Sequence, residues 1–325
     1  MKHVLVTGGA GFIGSNLVRM LVNDYGCEVT ILDNMFTGCP ENLRQQEIAT
    51  GVQLVTGSVL DQPLIRRLIQ GKDTVFHLAA VNIIASMENA RADLETNIIG
   101  TYNVLEAAHQ AGVARVVYAS TASVYGNPEY LPVCEDDKVR FLNFYAASKY
   151  AGECYAQAFY EQYDLPVTVV RYSNVYGYNQ RPENPYAGVV ARFINWALHD
   201  APLKIHGDGS QTRDFTFIAD ACRATVLAAL CPQAVGQVYN IATGTETTIN
   251  ELARQIIELT SSKSKVVYED RRPIDNVHRR VLNVEKAKKE LGFFPEWTLT
   301  RGLQETIAWA RSLANDKGIS GVLPA

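Results

Sequence analysis

The chain has 325 residues and a formal net charge of −4, from 30 Lys and Arg against 34 Asp and Glu. That length allows a large core and about two domains, and the mild acidity offers no basic stripe for nucleic acid. No apolar run is long enough to span a bilayer, and six scattered cysteines without a Cys-x-x-Cys pair suggest neither a zinc site nor a disulfide framework. The six histidines form no ligand-spaced cluster, so no metal is expected. With a strand where a leader peptide would lie, a cytoplasmic location with reduced thiols is the expectation.

Residues 3–7 read as a short apolar strand, Val4-Leu5-Val6 at its centre. Thr7-Gly8-Gly9-Ala10-Gly11-Phe12-Ile13-Gly14 follows at once. Glycines at 8, 11 and 14 permit a tight turn, let backbone approach a pyrophosphate, and let a helix pack on the strand. A helix is expected over 16–25, with its N-terminal N–H groups aimed at phosphate. A second strand, 28–32, delivers Asp33 nineteen residues past Gly14. A carboxylate there accepts ribose hydroxyls and repels a 2′-phosphate, which favours NAD over NADP. Strand before, helix after and acid at this distance turn a common glycine pattern into a dinucleotide site.

The alternation continues with strands at 52–56, 74–78, 115–119 and 166–171 and helices at 61–70, 92–111 and 146–163. This predicts an α/β fold, a doubly wound parallel sheet covered on both faces, with ligands beyond the strands' carboxyl ends. His77 reads as a packed, hydrogen-bonded histidine at a strand end. Ser120-Thr121-Ala122-Ser123-Val124-Tyr125-Gly126 follows the strand at 115–119. Tyr145 and Lys149 are four apart near a helix start and so share a face. An ammonium beside a phenol favours the phenolate. Tyr145 is therefore read as the group that exchanges a proton with a substrate hydroxyl. Thr121 is read as a hydroxyl on the same substrate oxygen, and Lys149 also as a hand on the nicotinamide ribose.

After about residue 175 the texture changes. A polar, proline-punctuated loop at 177–185 precedes a helix at 187–199, a strand at 203–206 and a turn at 207–209. Residues 219–229 and 249–259 look helical, 265–268 extended, and a terminal helix follows Thr300, with a frayed tail from Gly318. The expected division is a Rossmann domain for NAD, 1–175 with 214–243. A smaller α/β substrate domain would take 176–213 with 244–318.

Further motifs extend the pattern: Asp33-Asn34, His77-Leu78-Ala79-Ala80, Asn97, Arg171-Tyr172-Ser173-Asn174-Val175-Tyr176-Gly177, Gly207-Asp208-Gly209, Gln211-Thr212-Arg213-Asp214-Phe215 and Arg272-Pro273-Ile274-Asp275. With them the chain resembles, over nearly its whole length, the extended short-chain dehydrogenase/reductases of the nucleotide-sugar epimerase/dehydratase kind. The resemblance implies NAD as cofactor. It places the Phe12 and Ile13 amides at the pyrophosphate, Asp33 and Asn34 at the adenosine ribose, and Ser58 and Val59 near adenine. Leu78, Ala79 and Ala80 would line the groove, and Asn97 joins the cofactor set. Asn174, Arg213 and Arg272 would hold the substrate's diphosphate, which suits forked guanidinium donors. Asp275 would meet a ribose hydroxyl and Ser86 a sugar hydroxyl. The resemblance also suggests a homodimer through helices 92–111 and 146–163.

Departures from the family pattern narrow the reading. Ser58 stands where an acid often meets adenine, and Val81–Thr96 is about one residue shorter than in galactose epimerases. After Thr121 the 4,6-dehydratases carry Asp-Glu, and the uronate decarboxylases carry a glutamate at the position of Ser123. This chain has Ala122 and Ser123. With no second acid/base there, reversible oxidation at one carbon is the simplest reaction left. The expected activity is C4 epimerisation of a UDP-hexose, UDP-N-acetylhexosamine or UDP-uronate. A dehydratase or decarboxylase is the alternative, and a non-catalytic NAD(H) sensor or scaffold a third, which the presence of Tyr145 and Lys149 disfavours. Arg181 is read as a partner for a sugar carboxylate, as in similar uronate 4-epimerases.

Overall fold

The fold is described from a computed structural model over residues 1–44, 51–184, 186–271 and 276–316. Six strands come first in chain order: β1 His3–Thr7, β2 Glu28–Asp33, β3 Val52–Thr56, β4 Thr74–His77, β5 Arg115–Thr121 and β6 Val167–Tyr172. Short strands follow: β7 Asn174–Tyr176, β8 Leu203–His206, β9 Thr212–Arg213, β10 Phe215–Phe217, β11 Val238–Ile241, β12 Thr247–Thr248 and β13 Val266–Glu269. The main sheet is seven-stranded in the order β11-β6-β5-β4-β1-β2-β3, and every pairing in it is parallel.

Period-two alternation explains why the sheet is covered on both faces. In β1, Val4 and Val6 join a core with Leu17 and Leu21 of helix Phe12–Asn23 and Ala221 of helix Ile218–Leu230. Leu5, between them, joins Ile65, Val104 and Phe159 on the opposite face. The remaining strands pair off beside the sheet: β7 with β10, β9 with β12, and β8 with β13. Helices Val189–Leu198 and Ile249–Thr260 pack in this region, the second opened by a Thr248/Glu251 capping box.

The structure departs from the sequence reading at several elements. The first helix begins at Phe12, not 16, because the fingerprint's last glycine lies inside the helix. β11 was missed because Asn240 interrupts its apolar run. Asn240 is tolerated there because Tyr125, the Val133 carbonyl and Glu135 all hydrogen-bond to it. The stretch 92–111 is not one α-helix. Ala90–Asp93 passes through a π-helical turn, Leu94–Gly100, into Thr101–Gln110. The helix Ile83–Glu88 was also missed, and the Asn82 side chain caps it by accepting from the Ile84 and Ala85 N–H groups. The tail from Gly318 lies outside the described residues.

Candidate active site

β1 sits between β2 and β4, so the connections after β1 and β4 leave to opposite faces and a crevice opens at their carboxyl ends. Gly8 turns there with φ +72°, and a Cβ on it would lie 2.7 Å from the Ala79 nitrogen. A Cβ on Gly14 would lie 2.1 Å from the Gly8 carbonyl oxygen. Helix Phe12–Asn23 starts at Gly11 with no side-chain cap, which leaves its first-turn N–H groups for an anion.

A cavity of about 510 Å³ runs from this cradle past Leu78, Ala79 and Ala80 to Tyr145 and Lys149. Beside the cradle Asp33 is buried, accepting the Ala10 N–H at 2.9 Å and the Met35 N–H at 2.8 Å. Burial pushes its carboxyl up, and these backbone donors pull it back. Asn34 and Val59 line the same cavity. Ser58 accepts the Leu60 N–H at 3.1 Å and shapes a turn while its neighbours Gly57 and Val59 form the wall.

Tyr145 and Lys149 come from helix Phe144–Tyr163, which Asn143 caps by accepting the Ala146 N–H at 2.9 Å. Lys149 is 2% exposed. Burial pulls its ammonium down to about 7, against the opposing pull of Glu153 and Asp93. Its ammonium lies over the Tyr118 ring. Behind it the Glu153 carboxylate accepts from Ser120 and takes a bidentate grip on Arg171, with the shortest contact 2.6 Å. Arg171 in turn donates to the Tyr125 hydroxyl at 2.8 Å. A buried pair this well satisfied holds a geometry more than it adds stability.

Three expected contacts fall elsewhere. Asn97 is fully buried behind the wall. Its carboxamide clasps the Val81 backbone at 2.8 and 3.0 Å and donates to Asp93 at 2.7 Å, so it shapes the groove from behind. Ser86 points inward at 1% exposure, because the helix capped by Asn82 turns Ala85 and Glu88 to the cavity instead. Thr121 caps the short turn Ala122–Tyr125, accepting the Ser123 N–H at 3.1 Å, and Ser120 beside it lines the cavity.

A second cavity of about 290 Å³ gathers Asn174, Arg192, Lys204, Arg213 and Arg271. Arg213 is held by donating to the Thr212 and Val277 carbonyls at 2.8 and 2.9 Å. Arg192 and Arg271 were not anticipated. Arg272 and Asp275 lie outside the described residues. Arg181 lines a third cavity with Phe12, Thr37 and Asn42, and not the one that holds Tyr145.

Comparison with known proteins agrees with this arrangement. Residues 4–242 match the model of the NAD dependent epimerase/dehydratase family. The chain belongs to that family. A UDP-N-acetyl-alpha-D-glucosaminuronate decarboxylase of Bacillus cytotoxicus is 39% identical over 97% of this chain and 99% of its own. A UDP-glucose 4-epimerase of Mycolicibacterium smegmatis is 37% identical, covering 95% of this chain and 99% of its own. The crystal structure of a Thermotoga maritima UDP-glucose 4-epimerase with UDP-glucose superposes with a TM-score of 0.90. It is 35% identical and covers 96% of this chain and 99% of that one.

As in the epimerase/dehydratase family, the cofactor is NAD. The residues fit it: a glycine cradle that any Cβ would fill, an uncapped helix start beside it, and a buried carboxylate at the ribose end. Among the described residues no cluster is set to hold a metal ion, and no helix is long and apolar enough to cross a membrane. Sequence reasoning missed the partners of Lys149. Glu153 was within reach of it, since it follows Lys149 by one helical turn. Tyr118 and Asp93 approach only through the tertiary fold.

Proposed function

We propose that the protein is a C4 epimerase of a nucleotide-diphosphate sugar. The carrying observation is that Tyr145 and Lys149 line the same cavity as Gly8 and Asp33. NAD supplies the two-electron acceptor and donor when bound. Tyr145 takes the proton from the sugar's 4-hydroxyl as the C4 hydride leaves for the coenzyme, and it returns that proton to the 4-keto oxygen when the hydride comes back to the opposite face of C4. Lys149 sets the charge beside it and holds the nicotinamide ribose. Asn174 and Arg213 anchor the diphosphate, a role the sequence also gives Arg272, so the sugar turns while its handle stays fixed. Ala122 and Ser123 put no carboxylate where the dehydratase and decarboxylase patterns have one, which supports return of the proton over elimination.

The substrate candidates are UDP-hexose, UDP-N-acetylhexosamine and UDP-uronate. The 39% match to a decarboxylase favours one second reading, loss of the carboxylate from a 4-keto uronate. Incubation with UDP-, dTDP-, GDP- and CDP-sugars, followed by product mass and proton NMR, separates them, since epimerisation conserves mass. Tyr145→Phe should lose nearly all activity while keeping NAD. Full activity in that variant refutes the assignment and leaves the family membership untouched.

The working assembly is a homodimer. Ile99, Tyr102 and Tyr155 are exposed on the two helices that would meet across a two-fold axis, and Tyr102 packs edge-on against Tyr155 at 5.8 Å. Light scattering at micromolar concentration tests this, with a monomer as the refuting result.

A further inference from the structure

The pyrophosphate cradle is built from backbone, and its helix has no side-chain cap. Among the described residues that line the main cavity, Lys149 is the only lysine or arginine, and it belongs to the catalytic end. A doubly charged pyrophosphate bound there would meet N–H groups but no cation from that wall.

The neighbouring cavity, about 440 Å³, shares Phe12, Thr37 and Tyr186 with the main one and contains Arg181. Arg181 is fixed in direction. Its Nε donates 2.8 Å to Asn42 Oδ1, and the same carboxamide donates through Nδ2 to the Ala10 carbonyl at 3.0 Å. Ala10 lies inside the glycine fingerprint, so one buried asparagine ties the guanidinium to the phosphate loop. The segment that carries Arg181 is pinned on both sides of it. Asn16 donates to the Tyr178 carbonyl at 2.9 Å, Asn179 donates to Ser15 Oγ at 2.9 Å, and the Tyr186 hydroxyl donates to Glu88 at 3.0 Å. The Tyr186 ring also stacks on Phe36, 5.8 Å between centres. Asn16 and Ser15 belong to the cofactor helix. These ties hold Arg181 against the start of the cofactor helix and bring its cation beside the phosphate loop.

We propose that Arg181 is a coenzyme-binding residue: it meets the NAD pyrophosphate from the solvent side, aimed by Asn42, and holds the coenzyme between turnovers. This rests on NAD as cofactor and is independent of which sugar is turned over. It replaces the carboxylate role read from the sequence, because Arg181 lies beside the phosphate loop and outside the cavity that holds Tyr145.

The test is NAD affinity of the full-length protein by calorimetry after removal of bound nucleotide, with UDP and UDP-glucuronate titrated in parallel. Arg181→Gln should weaken NAD by about tenfold or more, the scale of one charge-assisted hydrogen bond, and leave UDP unmoved. Arg181→Lys, which keeps the charge and loses the fork, should fall between. It also guards against a folding defect in the first variant. NAD affinity within about twofold of the parent in both variants overturns the proposal. So does a loss confined to UDP-glucuronate, which would return Arg181 to the sugar.

Discussion

The ammonium of Lys149 lies 4.3 Å from the centre of the Tyr118 ring, and the Tyr118 hydroxyl donates back to the Lys149 carbonyl at 3.1 Å. A strand residue and a helix residue thus fix each other, one helical turn along from Tyr145. The ring face offsets part of the cost of burying a cation, by about 1–2 kcal/mol in a desolvated site.

Replacing Tyr118 should therefore act through Lys149. Tyr118→Phe keeps the ring and should stay within about threefold of parental turnover, whereas Tyr118→Leu should fall about tenfold or more. The distinguishing readout is the pH–rate profile. Besides Tyr118, Lys149 faces Glu153, Asp93 and His77. Loss of the ring alone should move the alkaline limb to lower pH, because the ammonium is less supported. An unmoved limb in Tyr118→Leu would show that the ring only fills space.

Gly152 guards the same contact. A Cβ there would lie 2.1 Å from the Tyr118 hydroxyl, on a residue with nowhere to retreat. Gly152→Ala should destabilise the fold by about 1–3 kcal/mol, as overpacking does. Urea unfolding checks the magnitude, and a change within about 0.5 kcal/mol would contradict the packing.

Lys149 should also show a conflict between function and stability. Its pKa falls from 10.5 unfolded to about 7 folded. The folded state therefore binds fewer protons between those values, and stability rises with pH across that window. The favourable contribution is complete above about 10.5 and lost as pH falls to about 7. Lys149→Met should be inactive. Its coenzyme-free form should be more stable than the parent at neutral pH, with the gap closing toward pH 10. Parallel melting curves for the two proteins across that range would contradict this.

His77 has the same sign at lower pH. Thr101 donates its hydroxyl to the Asn97 carbonyl, so His77 Nε2–H donates to Thr101 Oγ1 at 3.0 Å and Nδ1 accepts from Thr7 at 2.7 Å. Burial holds this neutral ring down to about 3 from 6.5. Its stabilisation is complete above about 6.5 and lost as pH falls toward 3. His77→Asn should be less stable at neutral pH yet flatter in acid. A slope equal to the parent's between pH 6.5 and 4 would contradict the buried neutral ring.

The cofactor end was legible in the sequence because its determinants are local. Gly8, Gly14 and Asp33 act through backbone and short spacing, and each lies where the pattern placed it. Tyr145 and Lys149 were legible for the same reason, sharing one helical turn. What escaped was tertiary. Tyr118 reads as one more strand residue until the helix brings Lys149 over it. Asn240 broke an apolar run that is a strand only because three partners satisfy it. Arg181 was assigned by its neighbours in sequence, and Asn42, more than a hundred residues away in the chain, decides its direction.

The proposed function stands on reversible oxidation at one carbon by Tyr145 and a retained coenzyme. Its most direct test is proton NMR of the product formed in D2O from an accepted UDP-sugar. The predicted product is the C4 epimer of unchanged mass with its C4 hydrogen intact, since that hydrogen leaves and returns without meeting solvent. Deuterium at C4, release of carbon dioxide or loss of water would contradict the account.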